Sequence, residues 1–553
     1  MRRHTGMFRL ITVLLWVATA QLVTAPAIAD CPRARLTPLT ELRSGLVAEG
    51  RTVTVEGIVT GVFIGPERLG GFFLQQGVRP PAGLFVYAPA LSPEGIRPGD
   101  RVQFEGRFNR FHGRPQIHRI DNLRVCAHPG LPDPVALRLP EDASRLSDIQ
   151  DVKVRFDQPL TVTGNYELGR YGSLRLSADG RLYRRTGTAG ANRELLQARQ
   201  IVLDDGSYRA NPHPIPYLDA SGTRRAGDRV EGLTGILTHA FNAHRVHPTR
   251  KPEFVEANPR PAPPVSSHRS LRVATLNVEN YFLTLGQRGA ATGAQLDRQR
   301  QKLTATVHGL DADVLSLVEV ENRATALADL LETLNQDLPA GLQYRAVTHR
   351  QTGTDAIRNA LLYRPARVSL LGAAADLDPV HNRPPVLGWF TAAGKDEPFG
   401  VVSVHFKAKV GCPDTGDIDL GQGCWNQLRT RQAQRLLDWL DETRRGNAPI
   451  LVSGDVNAYA GEDPLLEFLA AGKRNLASRH LSPERHYTYV FHGEAGQLDY
   501  LLAPQLLADR VKMAGIWHIN ADEPRFLGFA GREPTTGPWR SSDHDPVWAD
   551  LRW

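Results

Sequence analysis

The run NPRPAPPVSSHRS at residues 258–270 divides the chain into two stretches with different hydrophobic periods, and that division constrains the fold more than any other feature. Proline removes a backbone donor and fixes its own φ, so a segment this rich in it cannot continue a helix or a ladder and reads as a linker over 259–270. Before it, TVTVEGIVTGVFI, GGFFLQ, GLFVYA and DRVQFEGRF alternate apolar and polar residues between glycine and proline turns, which predicts strands alone. After it, RVATLNVENYF and DVLSLVEVEN bracket AQLDRQRQKLTATVHGL, whose apolar positions recur at helical spacing. Strand and helix continue to alternate through NALLYRP, FGVVSVHF, NQLRTRQAQRLLDWLDETRR and APILVSGDVNA, so 271–553 is expected to be a layered α/β domain.

The front half divides again. The order of strands in 30–134 resembles an oligonucleotide-binding (OB) barrel, and 135–258 reads as a second small β module, with RVQFEGRF and RVEGLTGIL hinting at duplication. Arg107, Phe108, Arg110, Phe111, His112 and Arg114 would suit a strand face that carries single strands; a barrel that only scaffolds or covers the rest is the competing account. Residues 30–270 carry 33 basic against 25 acidic side chains, a net +8, whereas 271–553 carry 30 against 34, a net −4. A basic front half suits a polyanion and an acidic back half suits metal ligands, although scattered arginines also serve solubility alone. With 41% hydrophobic and 23% charged residues the chain is neither disordered nor fibrous.

Residues 1–29 begin with Arg2, Arg3 and Arg9, continue into an apolar stretch and end in small residues at Ala27 and Ala29, the pattern of a cleaved secretory signal. The expected location is therefore secreted or periplasmic, with no further membrane span. An exported chain with four cysteines suggests disulfides, and of the three connectivities we favour Cys31 with Cys126 and Cys412 with Cys424, each within one proposed domain.

The strands of the back half end in polar groups. ATLNVEN presents Asn277, LSLVEVEN Glu319, SVHFK His405, VSGDVNAY Asp455 and Asn457, GQLDYLL Asp499, and SSDHDPV Asp543 and His544. A buried carboxylate or amide at a strand end is costly unless paired or metal-bound, and so many are hard to explain as satisfied core polarity. In order and local context these segments resemble the endonuclease/exonuclease/phosphatase superfamily, similar to deoxyribonuclease I. GTDAIRNALLYRP and HFKAKVGCPDTGDIDLGQGCWNQLRTRQA look most like secreted bacterial nucleases of the ExeM and NucH type.

That resemblance implies a four-layered α/β sandwich, two packed β-sheets flanked by helices, behind two small all-β OB-like modules. It implies that Asn277, Glu319 and Asp543 hold one hard cation, magnesium in the first place and manganese in the second. Asp455 would orient or deprotonate the attacking water, Asn457 steady the phosphoryl oxygen, and His544 contact the phosphate under orientation by Asp499. His405 would be the second histidine, with Asp355 as its partner and Arg358 as a phosphate-binding cation, a solvated face being the competing account of those two. Where the family often has Asn before that histidine, this chain has Val404. Asp545 reads as a turn cap. Asp414, Asp417 and Asp419, between the last two cysteines, raise calcium as a structural ion. The function expected is a monomeric, metal-dependent nuclease acting on DNA, and on RNA as an extension. A sphingomyelinase-like phosphodiesterase of lipid or inositol phosphates and an inactive nucleic-acid-binding protein are the alternatives.

Overall fold

A computed structural model of the chain describes residues 31, 34–77, 82–184, 191–266, 269–349 and 351–553. The signal-like segment 1–29 lies outside these, and no helix among the described residues is long and apolar enough to cross a membrane.

The first five strands, Thr52–Phe63, Gly71–Gln76, Ala82–Tyr87, Arg101–Phe111 and Arg114–Ala127, close into a barrel in which the third and fifth run parallel. Leu39 and Leu42 of the short helix Leu39–Ser44 plug its core beside Val55, Phe72 and Phe104, and Cys31–Cys126 ties its beginning to its last strand. Of the six residues of the expected aromatic and basic strand face, Arg107, Phe111 and His112 are exposed and two are diverted. Phe108 is buried inside the barrel, while Arg114 pairs with Asp151 of the next unit and lies over the Phe73 and Phe85 rings.

Within 135–255, nine strands form one sheet running from Val135–Leu137 at one edge to Glu253–Val255 at the other, and Leu182–Tyr183 leaves it for a separate sheet. The hint of duplication is not carried by topology, because Arg229–Glu231 and Thr234–Ala240 sit in a strand order unlike that of the barrel. The barrel packs on this sheet through Phe63, Phe73 and Ile236. The proline-rich segment is strapped down rather than loose: Arg260 bonds Glu523, Pro261 O accepts from Trp517 Nε1, and Pro264 and Val265 carbonyls accept from Arg272.

The remainder is the expected four-layered sandwich. One six-stranded sheet runs Arg345–Ala346, Ile357–Tyr363, Val314–Glu321, Leu271–Tyr281, Val547–Leu551, Val511–Ile516; the other runs Val368–Ala375, Val386–Ala392, Pro398–His405, Ile450–Asp455, Asp499–Ala503, Arg474–Asn475. Their facing sides share a core of Val273, Val314, Leu361, Val401, Leu451, Leu501 and Val547. Ser316 Oγ donates to Ser403 Oγ at 2.7 Å inside that layer, a polar pin between the sheets. Helices Gly293–Leu310 and Ala324–Asn335 cover the first sheet, and Asn426–Glu442 and Asp463–Ala470 the second. Spacing explains the first of these: Leu296, Leu303, Val307 and Leu310 fall on one buried stripe, and Thr292 caps the N-terminus by accepting from Gln295 N.

Candidate active site

Three neighbouring strands of the second sheet end level, with His405 opposite Asp455 and Asp455 opposite Asp499. Directly opposed residues share a face of the sheet, so this register alone sets the three side chains abreast. All three are buried, and His405 Nε2 lies 3.6 Å from Asp455 Oδ2. Residues 401, 403 and 405 face the partner sheet while Val402 and Val404 pack under the helices. Val404 therefore points away from the cleft, which accounts for an apolar residue at that position.

The first sheet delivers its acids through bulges. Leu315 and Leu317 face the helix layer, and regular alternation would send Glu319 after them. Instead the pairing shifts register between Leu317 and Val320, Glu319 adopts φ 71°, and its carboxylate meets Asn277 Nδ2 at 3.0 Å and Asn280 N at 3.0 Å. A second register shift follows Asn277, where Glu279 and Asn280 both take positive φ.

His544 enters from the segment before the last strand. Its Nδ1 lies 2.7 Å from Asp499 Oδ2 and 4.0 Å from Asp455 Oδ2. Thr488 Oγ1 donates to the same Asp499 oxygen at 2.7 Å, and the Tyr489 ring lies 4.6 Å from the imidazole. Asn457 donates its backbone N–H to Asp455 Oδ1 at 2.8 Å and its amide to Phe406 O. Asp545 is a local organiser, accepting from Asn520 N and Ala521 N and pairing with His518.

Charge in the cleft follows from burial and crowding. Burial and the neighbouring Asp499 push the Asp455 carboxyl up to about 7. Burial and Asp543 push Glu279 up to about 8 and raise Glu319 as well. Burial and the Arg383 guanidinium hold His405 well below the ordinary imidazole value. Burial opposes charging His544 too, but Asp499 outweighs it and holds that imidazole well above its usual range. Crowded oxygen donors with no thiolate among them are what a hard divalent cation relieves, so Asn277, Glu319, Asp543 and the adjacent Glu279 fit one. Asp455, Asp499 and His544 also bring ligand atoms within 4.8 Å of one another, but the short His544–Asp499 contact makes them a hydrogen-bonded set.

Glu319, His405, Asp455, Asn457, Asp543 and His544 line one cavity of about 810 Å³. Asp355 and Arg358 do not join them: Asp355 pairs with Arg383 rather than His405, and Arg358 meets His349. The calcium reading of the 412–424 loop is also corrected. The disulfide Cys412–Cys424 forms as expected, but Asp417 caps the helix at Gln427 N and Leu428 N, and Asp419 closes a turn on Gly421 N and Gly423 N. Among the described residues Asp414, Asp417 and Asp419 do not come together as a ligand set, and Asp414 is exposed. The sequence reading missed Glu279, Arg383 and Tyr489. It also missed that Arg175, Arg184, Arg193 and His244 of the 135–255 unit form a wall of the cavity, to which no described residue of the barrel contributes. Glu279 lay within the stretch ATLNVEN; Arg383 sits in a loop, Tyr489 on the short strand Tyr489–Phe491 and the rest in another unit, where no local signal marks them.

Residues 274–544 match the model of the Endonuclease/Exonuclease/phosphatase family. No curated protein matches the chain. Among solved structures, the chain is similar to TDP2 of D. rerio complexed with single strand DNA product, at 14% identity and TM-score 0.36 over 51% of this chain and 99% of that one. It is similar to a mannosyl-6-phosphatase of Bacteroides thetaiotaomicron, at 18% identity and TM-score 0.36 over 51% and 100%. A third is the human Nocturnin catalytic domain with bound sulfate, at 17% identity and TM-score 0.35 over 52% and 95%.

Proposed function

We propose, from the premise that residues 274–544 form a hydrolase domain of the Endonuclease/Exonuclease/phosphatase family, that this protein is a secreted or periplasmic, monomeric nuclease that hydrolyses phosphodiester bonds of DNA, and of RNA as an extension. The observation that carries the reading is the convergence of Glu319, Asp455, Asp543 and His544, from both sheets, on one cavity beside basic residues.

In this reading Asp455 accepts the proton of the attacking water, a role suited to a carboxyl whose pKa stands at about 7. Asn457, with its backbone N–H fixing one Asp455 oxygen, keeps the other toward the cleft. His544, kept cationic by Asp499, faces a non-bridging phosphate oxygen. His405 stays neutral, and Arg383 adds positive charge behind it. Asn277, Glu319 and Asp543, with Glu279 beside them, would hold a divalent cation, magnesium first, whose chemistry when bound is to offset negative charge on the phosphoryl group and leaving oxygen. The water oxygen forms a new P–O bond as the ester P–O bond breaks.

The test is plasmid DNA incubated with the purified protein in magnesium, in chelator, and with Asp455→Ala, beside sphingomyelin. Magnesium-dependent DNA cleavage lost in the variant supports the nuclease. Turnover of sphingomyelin alone would transfer the site to lipid phosphodiesters, and DNA binding without turnover of either would leave a binding protein.

A further inference from the structure

The catalytic cavity does not end at His544. A second cavity of about 500 Å³ adjoins it and shares Arg175, Tyr489, Phe491 and Asp543 among its walls. A third of about 460 Å³ continues from the second through Tyr166, Arg525 and Arg540. The three follow the seam between the nine-stranded sheet and the layered unit, and Asp543 and Glu279 lie along it.

The seam is furnished with rings and cations in alternation. Tyr489 lies against His544, and Phe491 stacks behind Tyr489 at 6.4 Å with 17° between planes. Phe491 remains 43% exposed, so this end of the ladder is not spent on core packing. Tyr166, 59% exposed, carries the Arg525 guanidinium 5.2 Å from its ring centre. Arg175 and Arg184 have no carboxylate partner among the described residues, whereas Arg181 and Arg225 of the same unit are consumed by Asp522 and Glu523. The hairpin that carries Tyr489 and Phe491 is itself extended by Leu182–Tyr183, which pairs in parallel with Glu494–Gly496, so a strand from the 135–255 unit joins the catalytic hairpin in one three-stranded sheet.

Guanidiniums without a carboxylate partner track a phosphate backbone, even where, like Arg525 and Arg184, they lie over a tyrosine ring, and exposed rings accept base faces only where the bases are unpaired, since a duplex keeps those faces in its own stack. We propose that the seam binds a single nucleic-acid strand, its backbone along Arg175, Arg184 and Arg525 and its bases on Phe491 and Tyr166, on either side of the phosphate at His544. This rests on the nuclease reading and adds to it that the β sheet selects unpaired substrate.

The experiment is fluorescence anisotropy of the full chain in chelator, so that binding is read without cleavage, with labelled oligothymidylates of four and twelve nucleotides and a twelve-base-pair duplex. The long strand is expected to bind about 10-fold more tightly than either the short strand or the duplex, because stacking adds with each base. Phe491→Ala and Arg175→Ala should each weaken the long strand about 5-fold or more, and Arg175→Ala should lower the salt slope by about 0.7. Arg345→Ala removes the same charge from an exposed position off the seam and should change nothing. Thermal midpoints check folding, and Phe491→Leu replaces the alanine variant should its midpoint fall. Wild-type affinity in the Phe491 and Arg175 variants, or a duplex bound as tightly as the strand, overturns the proposal. Because Asp455-dependent plasmid cleavage is scored separately, an active nuclease with unaffected seam variants removes the seam alone, while an inactive protein removes the nuclease reading.

Discussion

Asp499 Oδ2 lies 2.7 Å from His544 Nδ1, and the same oxygen accepts from Thr488 Oγ1, so one carboxylate both charges and aims the imidazole. Asp499→Asn keeps the shape and removes the charge. The His544 pKa, held high by that charge, then falls, and the imidazole loses its proton at lower pH. We expect kcat to drop about 10²-fold or more and the alkaline limb of the pH–rate profile to move toward neutrality, measured on plasmid DNA or a small phosphodiester from pH 5 to 9.

Asp455 sets the acid side. Its carboxyl rises from 3.8 to about 7 on folding, so the stability it lends is full below pH 4 and is lost as pH climbs through 7. At about 1.36 kcal/mol per pH unit, the ceiling is about 4 kcal/mol. Neighbouring charges share that effect, and Asp455→Asn should raise the unfolding free energy at pH 8, in chelator, by about 1–3 kcal/mol while abolishing cleavage. Urea titrations at pH 5 and pH 8 measure it: a variant no more stable than wild type at pH 8 would contradict the buried charge. Glu279→Gln should behave alike, since its own rise reaches about 8.

Much of this site was legible as sequence because register is local. Period-two alternation in FGVVSVHF and APILVSGDVNA places His405 and Asp455 on the inner face at strand ends, and pairing then brings them together. Glu319 was legible by motif but not by period, since alternation alone points it at the helices and only the bulge turns it inward. Arg383 and Tyr489 were invisible: what makes them part of the site is the packing of a loop and of the hairpin strand Tyr489–Phe491 against the finished sheets. The Asp355–His405 pair failed for the converse reason, because a buried guanidinium at Arg383 captures the nearer carboxylate.

Gly454 precedes Asp455 with φ +142°, and a Cβ there would run into the carbonyl oxygen of Val404 on the neighbouring strand. Gly454→Ala must therefore push apart the very strands that set His405 beside Asp455. A loss of about 3 kcal/mol or more is expected by urea unfolding, with cleavage reduced even at temperatures where the variant remains folded. Gly180→Ala has positive φ as well but nothing within reach of its Cβ, and should cost only about 1 kcal/mol.

The seam depends on two acids of the layered unit. Asp522 receives Arg181, Tyr487 and Asn258, and Glu523 receives Arg225, Arg260 and Thr223, and both acids are fully buried. Phe526 and Leu527, a few residues on, insert into the core of the nine-stranded sheet. Burial alone would raise both carboxyls, but the arginines outweigh it and hold both below their ordinary values. The stability they contribute is thus present above about pH 4.5 and is lost as pH falls through the depressed values. Glu523→Gln leaves Arg260 without its counter-charge and Arg225 with Asp522 alone, which should cost about 3 kcal/mol. The cost should appear as earlier opening of the seam: proteolysis within 191–266 at urea concentrations that leave wild type intact, and strand binding lost before the layered unit unfolds. A Glu523→Gln protein that unfolds in one step at the wild-type midpoint would show that the acid pair does not hold the β sheet against the catalytic cleft.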